Sequence, residues 1–203
     1  LAEKYENKQL CRKYLEMAEK TKKSFDEKFY NEEKHCLYDV LGDSKVRPNQ
    51  LFALSLSHPI VDNAEIAEQV LNTVENKLLN KYGLKTLSSD EDGYVEVYEG
   101  SAYKRDLSYH QGITWPWLLG LYYDALKNTM IIEKNRIKRQ ELEEKITKLV
   151  YTTKETFKAE MFERSSIGTI SEIYDSTEPY EERGAFAQAW SVAEIFRIVL
   201  NKR

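Results

Sequence analysis

Residues 184–200, the last helix-length stretch of the chain, carry two charged side chains, Glu194 and Arg197, whereas residues 133–148 carry ten. A helix without a polar face must be covered on most sides, while a charged one keeps a face in water, so the chain has to stack buried helices against solvated ones. In the charged helix, expected near residues 132–163, Ile137, Leu142, Ile146 and Leu149 or Val150 form the apolar stripe. In the last helix Trp190, Val192, Ile195, Phe196 and Val199 surround the axis, which predicts burial on most sides. Residues 1–30 place Leu10, Tyr14, Ala18, Thr21, Phe25 and Phe29 at helical spacing against a Lys/Glu-rich face. Pro48 opens a helix through RPNQLFALSLS. Asp62-Asn63-Ala64-Glu65 resembles a capping box that starts another, with Ile66, Val70, Val74 and Leu78 inward and Gly83 at its end. Thr114 and Pro116 begin a helix that runs through Tyr123. Between them, Cys36 to Leu41 reads as extended, and residues 84–113 as a long loop with a small hairpin around Tyr94 to Tyr98. A loop of that length is uncommon unless it lines a site. The result is an all-α chain of about six or seven helices with long loops on one side, which suits a toroid of paired helices better than a simple bundle. A helical-repeat solenoid fails, because WPWLLGLYY misses the tetratricopeptide register by one residue and does not recur.

The 203 residues are read as a single domain, 1–203. A 41% hydrophobic and 32% charged composition is that of a globular protein, and a net charge of −4 supplies no basic field, so nucleic acid and anionic membrane are not expected partners. No apolar run approaches the roughly 20 residues that span a bilayer, and no secretory leader precedes the first helix, so a cytoplasmic location is the expectation. Leu1 stands at the head of a helical pattern with no cap before it, which reads as a cut, while Lys202 and Arg203 suit the end of a helix dipole and read as a natural end. Cys11 and Cys36 are too few for a disulfide framework and are expected as thiols. His35, His58 and His110 lie too far apart for a metal motif, and no glycine-rich loop cradles a phosphate, so neither a metal nor a cofactor is expected.

Sugar sites pair Trp or Tyr platforms for the C–H faces of a pyranose with Arg, Asn, Gln, Asp, Glu and His for its hydroxyls. Those types gather in the loops: Arg47, Asn49 and Gln50; Tyr98, Glu99, Arg105 and Asp106; Tyr109, His110, Gln111, Trp115 and Trp117. Glu172, bracketed by Ile170, Ile173 and Tyr174, is the carboxylate expected nearest apolar surface, and so the candidate general base. Trp117 and Trp190 suit helix packing as well as ligand stacking, and Arg47 and Arg183 suit loop salt bridges as well as sugar binding. His110 alone fits a structural hydrogen bond equally. Glu178, Glu181 and Glu182 read as a solvated charge run.

RPNQLFALSLS (47–57), YEGSAYKRDLSYHQGITWPWLLGLYYDA (98–125) and GTISEIYDSTEPYEERGAFAQAWSVAEIFR (168–197) resemble, in order along the chain, the C-terminal part of glycogen debranching enzymes, the amylo-α-1,6-glucosidase domain. The resemblance implies a partial (α/α)6 toroid related to glucoamylases. It also implies inverting hydrolysis of single glucose residues at the α-1,6 branch points of glycogen or a related α-glucan oligosaccharide, without a cofactor. Inversion needs two carboxyl groups about 6.5–9.5 Å apart, one protonating the leaving oxygen and one activating water. Glu172 in GTISEIYD matches the base. Arg47, Asn49, Gln50, His110, Gln111 and Trp115 would line the glucose subsite, with Gln188 and Trp190 supporting it. The family's general acid, an aspartate in a Thr-Trp-Met-Asp motif, is missing from this chain. The chain is therefore expected to be a C-terminal fragment, inactive alone, whose partner is the remainder of the parent polypeptide. The competing functions are a glucoamylase- or trehalase-like exo-hydrolase and a non-catalytic carbohydrate-binding or structural helical module.

Overall fold

The computed structural model describes residues 4, 7–164 and 167–200; the first residues and the Lys202-Arg203 end, on which two of the sequence expectations fall, lie outside them. Seven α-helices dominate: α1 Lys8–Lys28, α2 Phe52–Ser55, α3 Ala64–Lys77, α4 Ala102–Ser108, α5 Leu118–Ile132, α6 Arg136–Glu163 and α7 Ala189–Leu200. Six two-residue strands accompany them: β1 Tyr30–Asn31, β2 Cys36–Leu37, β3 Leu84–Lys85, β4 Thr114–Trp115, β5 Ile173–Tyr174 and β6 Glu182–Arg183. The mostly helical expectation holds. Among the described residues no helix is long and apolar enough to cross a membrane.

Helix α5 is the hub. Leu118, Leu119, Tyr122, Tyr123, Ala125, Leu126 and Thr129 are buried along it, and α2, α3, α6 and α7 all pack against it. On α6 Leu142, Ile146, Leu149, Thr153 and Phe157 recur every three or four residues and bury one stripe. The stripe starts later than predicted, since Ile137 is 69% exposed. Helix α3 starts where the sequence indicates, but its cap is Asn63 and not the Asp62 of a capping box over 62–65: Asn63 Oδ1 accepts from the Glu65 and Ile66 amides at 2.9 and 3.2 Å, and Val70 and Val74 turn inward.

Several expectations are corrected. The predicted burial of α7 on most sides fails: Ser191, Ile195 and Ile198 are buried, while Trp190, Phe196 and Leu200 are exposed, because α5 and α6 cover one side of it. Likewise Leu10 and Tyr14 lie exposed on α1, and only near its end does the apolar face find cover, where Phe25 packs on the core and stacks on Phe29. The helix expected from Thr114 starts at Leu118, with Thr114 and Trp115 drawn into β4 instead. The hairpin expected at Tyr94 to Tyr98 does not form. That segment runs extended between two others, its Val95 amide donating to Gln111 and its Tyr98 amide to the Asp175 carboxylate. The strands β3, β4, β5 and β6 line up in that order, antiparallel, and join segments far apart in sequence into a small sheet.

Gly83 does not end a helix, since α3 stops at Lys77. It closes a turn on Asn80, whose Oδ1 accepts from the Tyr82 and Gly83 amides and whose Nδ2 donates to Thr114 Oγ1 at 2.7 Å. A methyl group there would meet the Trp115 carbonyl, with its carbon at 2.7 Å, and backbone cannot swing aside as a side-chain tip can. Gly83→Ala is expected to lower stability by about 2 kcal/mol, hence the melting temperature by roughly 4–8 °C. An unchanged melting curve would mean that β4 retreats without cost.

Candidate active site

Glu172 immediately precedes β5 and pairs with the turn that follows β6: its amide donates to the Ala185 carbonyl at 2.9 Å. The reciprocal contact is made by its side chain, Oε2 accepting from the Ala185 amide at 2.9 Å. Oε1 accepts from the Tyr109 hydroxyl. Gly184, in a left-handed conformation with φ +69°, lets the turn press this close; a Cβ would run into the Glu172 carboxylate and come within 3.0 Å of Ile173 Cγ1. Ile170, Ile173 and Tyr174 are fully buried, so the bracketing read from sequence roots Glu172 in the core while its carboxylate stays half-buried.

Around this carboxylate lies an aromatic floor. The Tyr109 ring meets Trp115 edge-on at 4.6 Å, and the exposed His110 ring lies parallel to Trp115 at 5.7 Å. Trp190 stands 5.8 Å from both Trp115 and Trp117. Trp115 is buried, Trp117 half-buried and Trp190 45% exposed, so the three tryptophans grade from core to open surface. Arg47 reaches the same loop from the turn before α2, donating to the His110 carbonyl at 2.8 Å, the Thr86 carbonyl at 3.2 Å and Gln111 Oε1 at 3.0 Å.

Other sequence candidates are placed differently. Gln50 is buried, with its amide spent on the Leu37 amide and the Arg47 carbonyl at 3.0 and 2.8 Å. Asn49 is exposed and donates to Asp39. Tyr98 packs on Tyr109 at 5.8 Å, whereas Glu99 and Asp106 are exposed and Arg105 donates to the Gly100 carbonyl at 2.7 Å. Gln188 stands at the start of α7 and accepts from the Ala189 amide. The residue brought to Glu172 is thus Tyr109, which spacing alone did not mark as its partner, and Tyr98, His110 and Trp115 gather on the Tyr109 ring with Trp190 against Trp115. Asp175 was also missed. It is buried, accepts from the Tyr98 amide at 2.8 Å and from Arg183 Nη2 at 2.8 Å, and so ties the Tyr98 segment and β6 to the strand that follows Glu172.

Behind β5 a second carboxylate pair is buried. Tyr174, stacked on Tyr82 at 4.4 Å, donates to Glu160 Oε1 at 2.9 Å. Glu182, expected in solvent, turns inward, with Arg164 Nε 2.9 Å away but out of hydrogen-bond alignment. Glu178 and Glu181 stay exposed as expected. Glu160 Oε2 and Glu182 Oε1 are buried without a hydrogen-bond partner. One proton on Glu160, shared toward Glu182, satisfies both oxygens. In keeping with this, burial pushes the Glu160 carboxyl up to about 7 despite the opposing hydrogen bond from Tyr174, with the Glu182 charge adding to the rise.

A surface depression of about 1290 Å³ lies elsewhere, along α5 and α6 between Met130 and Tyr151. Its lining includes none of the residues around Glu172, and its walls carry both signs of charge, as in Arg139, Glu144 and Lys148. Among the described residues no group of three or more His, Cys, Asp or Glu side chains is arranged to hold a metal ion.

A carboxylate gripped from two sides beside stacked aromatic rings suits a site that handles sugar rings. Comparison with known families agrees: the family model for amylo-alpha-1,6-glucosidase matches residues 1–197, a span that takes in all three sequence motifs and the Glu172 loop. The chain therefore belongs to the amylo-α-1,6-glucosidase family and is a glycoside hydrolase domain of the glycogen-debranching type.

Proposed function

We propose that the chain supplies the general-base half of an inverting site that releases single glucose units from the α-1,6 branch points of glycogen or a related α-glucan. The observation that carries this is the Glu172 carboxylate, with one donor on each oxygen, joined through Tyr109 to the His110 and Trp115 rings and through Trp115 to Trp190. In such a displacement water adds to the anomeric carbon on the face opposite the glycosidic bond while Glu172 takes one of its protons. A carboxylic acid across the ring protonates the departing oxygen, and the configuration inverts. That acid is assigned to residues beyond these 203, along with the helices that would complete an (α/α)6 toroid. Trp190 and the exposed His110 ring, backed by buried Trp115, offer flat surfaces to the pyranose C–H face, and Arg47 holds the His110 and Gln111 loop in place beneath them.

The test is glucose release from an α-1,6-branched limit dextrin by the parent polypeptide, compared with linear α-1,4 glucan and trehalose, and by the 203-residue chain alone. Release by the parent with preference for the branched substrate, and none by the short chain, is the expected pattern. Preference for trehalose or linear glucan would move the assignment to an exo-hydrolase. Binding of glucan without any hydrolysis by the parent would make this a carbohydrate-binding module.

A further inference from the structure

The Tyr109 hydroxyl is the contact to Glu172 made from another part of the chain, and it arrives from a side chain that cannot easily move. The Tyr109 amide donates to the Arg105 carbonyl at 3.0 Å, closing the last turn of α4. Its carbonyl accepts from Trp115 Nε1 at 3.2 Å. Its ring is wedged between Tyr98 at 5.8 Å, His110 at 4.9 Å and Trp115 at 4.6 Å. Amide, carbonyl and ring are thus all held, with Trp115 holding both of the last two, and the hydroxyl points at Glu172 Oε1.

An ionised carboxylate has about four acceptor positions on two oxygens, and a single donor leaves its plane free to turn about the last side-chain bond. Here Ala185 N–H occupies one position on Oε2 and Tyr109 O–H one on Oε1, so the plane is set, and the remaining lone pairs are left for water. The backbone donor belongs to the same β5–β6 unit as Glu172 and moves with it. The Tyr109 donor belongs to α4 and the loop before β4, so it registers the carboxylate against the His110–Trp115 floor.

We propose that Tyr109 is a positioning residue for the base: its hydroxyl fixes the carboxylate plane of Glu172 so that a free lone pair meets the proton of the attacking water. The proposal rests on the reading of Glu172 as the base. The proton of the attacking water passes to a free lone pair of Glu172, and Tyr109 keeps its own proton throughout. Burial and the neighbouring carboxylate push the Tyr109 phenol upward, so it remains a neutral donor across the working pH range. The other titratable groups facing it are Tyr98 and His110.

The experiment uses the parent polypeptide with Tyr109→Phe, Glu172→Gln and the double substitution, measuring kcat and KM for glucose release from branched limit dextrin together with the melting temperature. Phenylalanine keeps the ring contacts and removes only the donor. The expected result for Tyr109→Phe is a kcat lower by roughly 10- to 100-fold with little change in KM, since the base is still present but its plane is no longer held. In the double variant the tyrosine change should add nothing to Glu172→Gln, because it acts through that carboxylate. Loss of activity in Glu172→Gln with a normal kcat in Tyr109→Phe would overturn this proposal while leaving the base assignment standing. Normal activity in Glu172→Gln would overturn the base assignment, and this proposal with it. A lower melting temperature for Tyr109→Phe with an unchanged kcat would make the contact merely structural and also count against it.

Discussion

Glu172→Gln in the parent polypeptide is expected to lower glucose release from branched limit dextrin by roughly 10²- to 10⁴-fold, the range over which a positioned general base accelerates a reaction. The substitution is a clean one because both contacts to the side chain can survive it. The amide oxygen can accept from the Ala185 N–H in place of Oε2, and the amide nitrogen can donate to the Tyr109 hydroxyl, which accepts as readily as it donates. Shape and floor are kept, and only the ability to take a proton from water is lost. Calorimetric titration with a branched oligosaccharide should therefore find binding within a fewfold of the native protein. Unchanged hydrolysis would make the doubly held carboxylate a structural tie between β5 and the Ala185 turn.

Glu160→Gln is expected to act on stability and to do so only above mildly acidic pH. The carboxyl, ordinarily near 4.5, is raised to about 7 in the folded protein. Between those two values the native state holds a proton that the unfolded chain releases, so stability falls as pH rises from about 4.5 to about 7 and levels off above it. At about 1.4 kcal/mol per pH unit the full loss is on the order of 3 kcal/mol, with Arg164 nearby and Glu182 facing the same carboxyl. Glutamine mimics the protonated form: it still accepts from Tyr174 and can donate toward Glu182. Denaturant unfolding should find the variant close to native stability at pH 4.5 and more stable by roughly 2–3 kcal/mol at pH 8. Equal stability of the two proteins at pH 8 would show that Arg164 already neutralises an ionised Glu160.

Much of the helical frame was legible from residue pattern, and the reasons differ from helix to helix. The Asp62-Asn63-Ala64-Glu65 group announced α3 to within a residue of its cap, Asn63, because an N-cap is a local contact between a side chain and amides two and three residues on. The α6 stripe followed from periodicity, except at Ile137, where no neighbour covers the first turn. Of the strands only β2 was legible, inside the Cys36 to Leu41 stretch read as extended; the others were not, since a two-residue strand has no pattern of its own. Leu84 pairs with Trp115, and Thr114 with Tyr174, only because the chain returns to the same place. Helix α4 was absorbed into a long loop because its seven residues bury only Ser108 and show no apolar face.

Taken alone, the amino-acid sequence determined the helical class, the polar character of α6, the start of α3 and the gathering of sugar-binding residue types in the loops, and through its three motifs it pointed to the family. These are properties of neighbours along the chain, and short-range contacts decide them. The tertiary structure decided which of those residues meet. It turned Glu182 inward, spent the Gln50 amide on backbone and left the apolar side of α7 uncovered. It also brought Tyr109 across 63 residues to Glu172 and fitted Gly184 beneath that carboxylate. Long-range hydrogen bonds and close backbone approach leave no periodic trace in sequence, because what they require of a residue is a position in space.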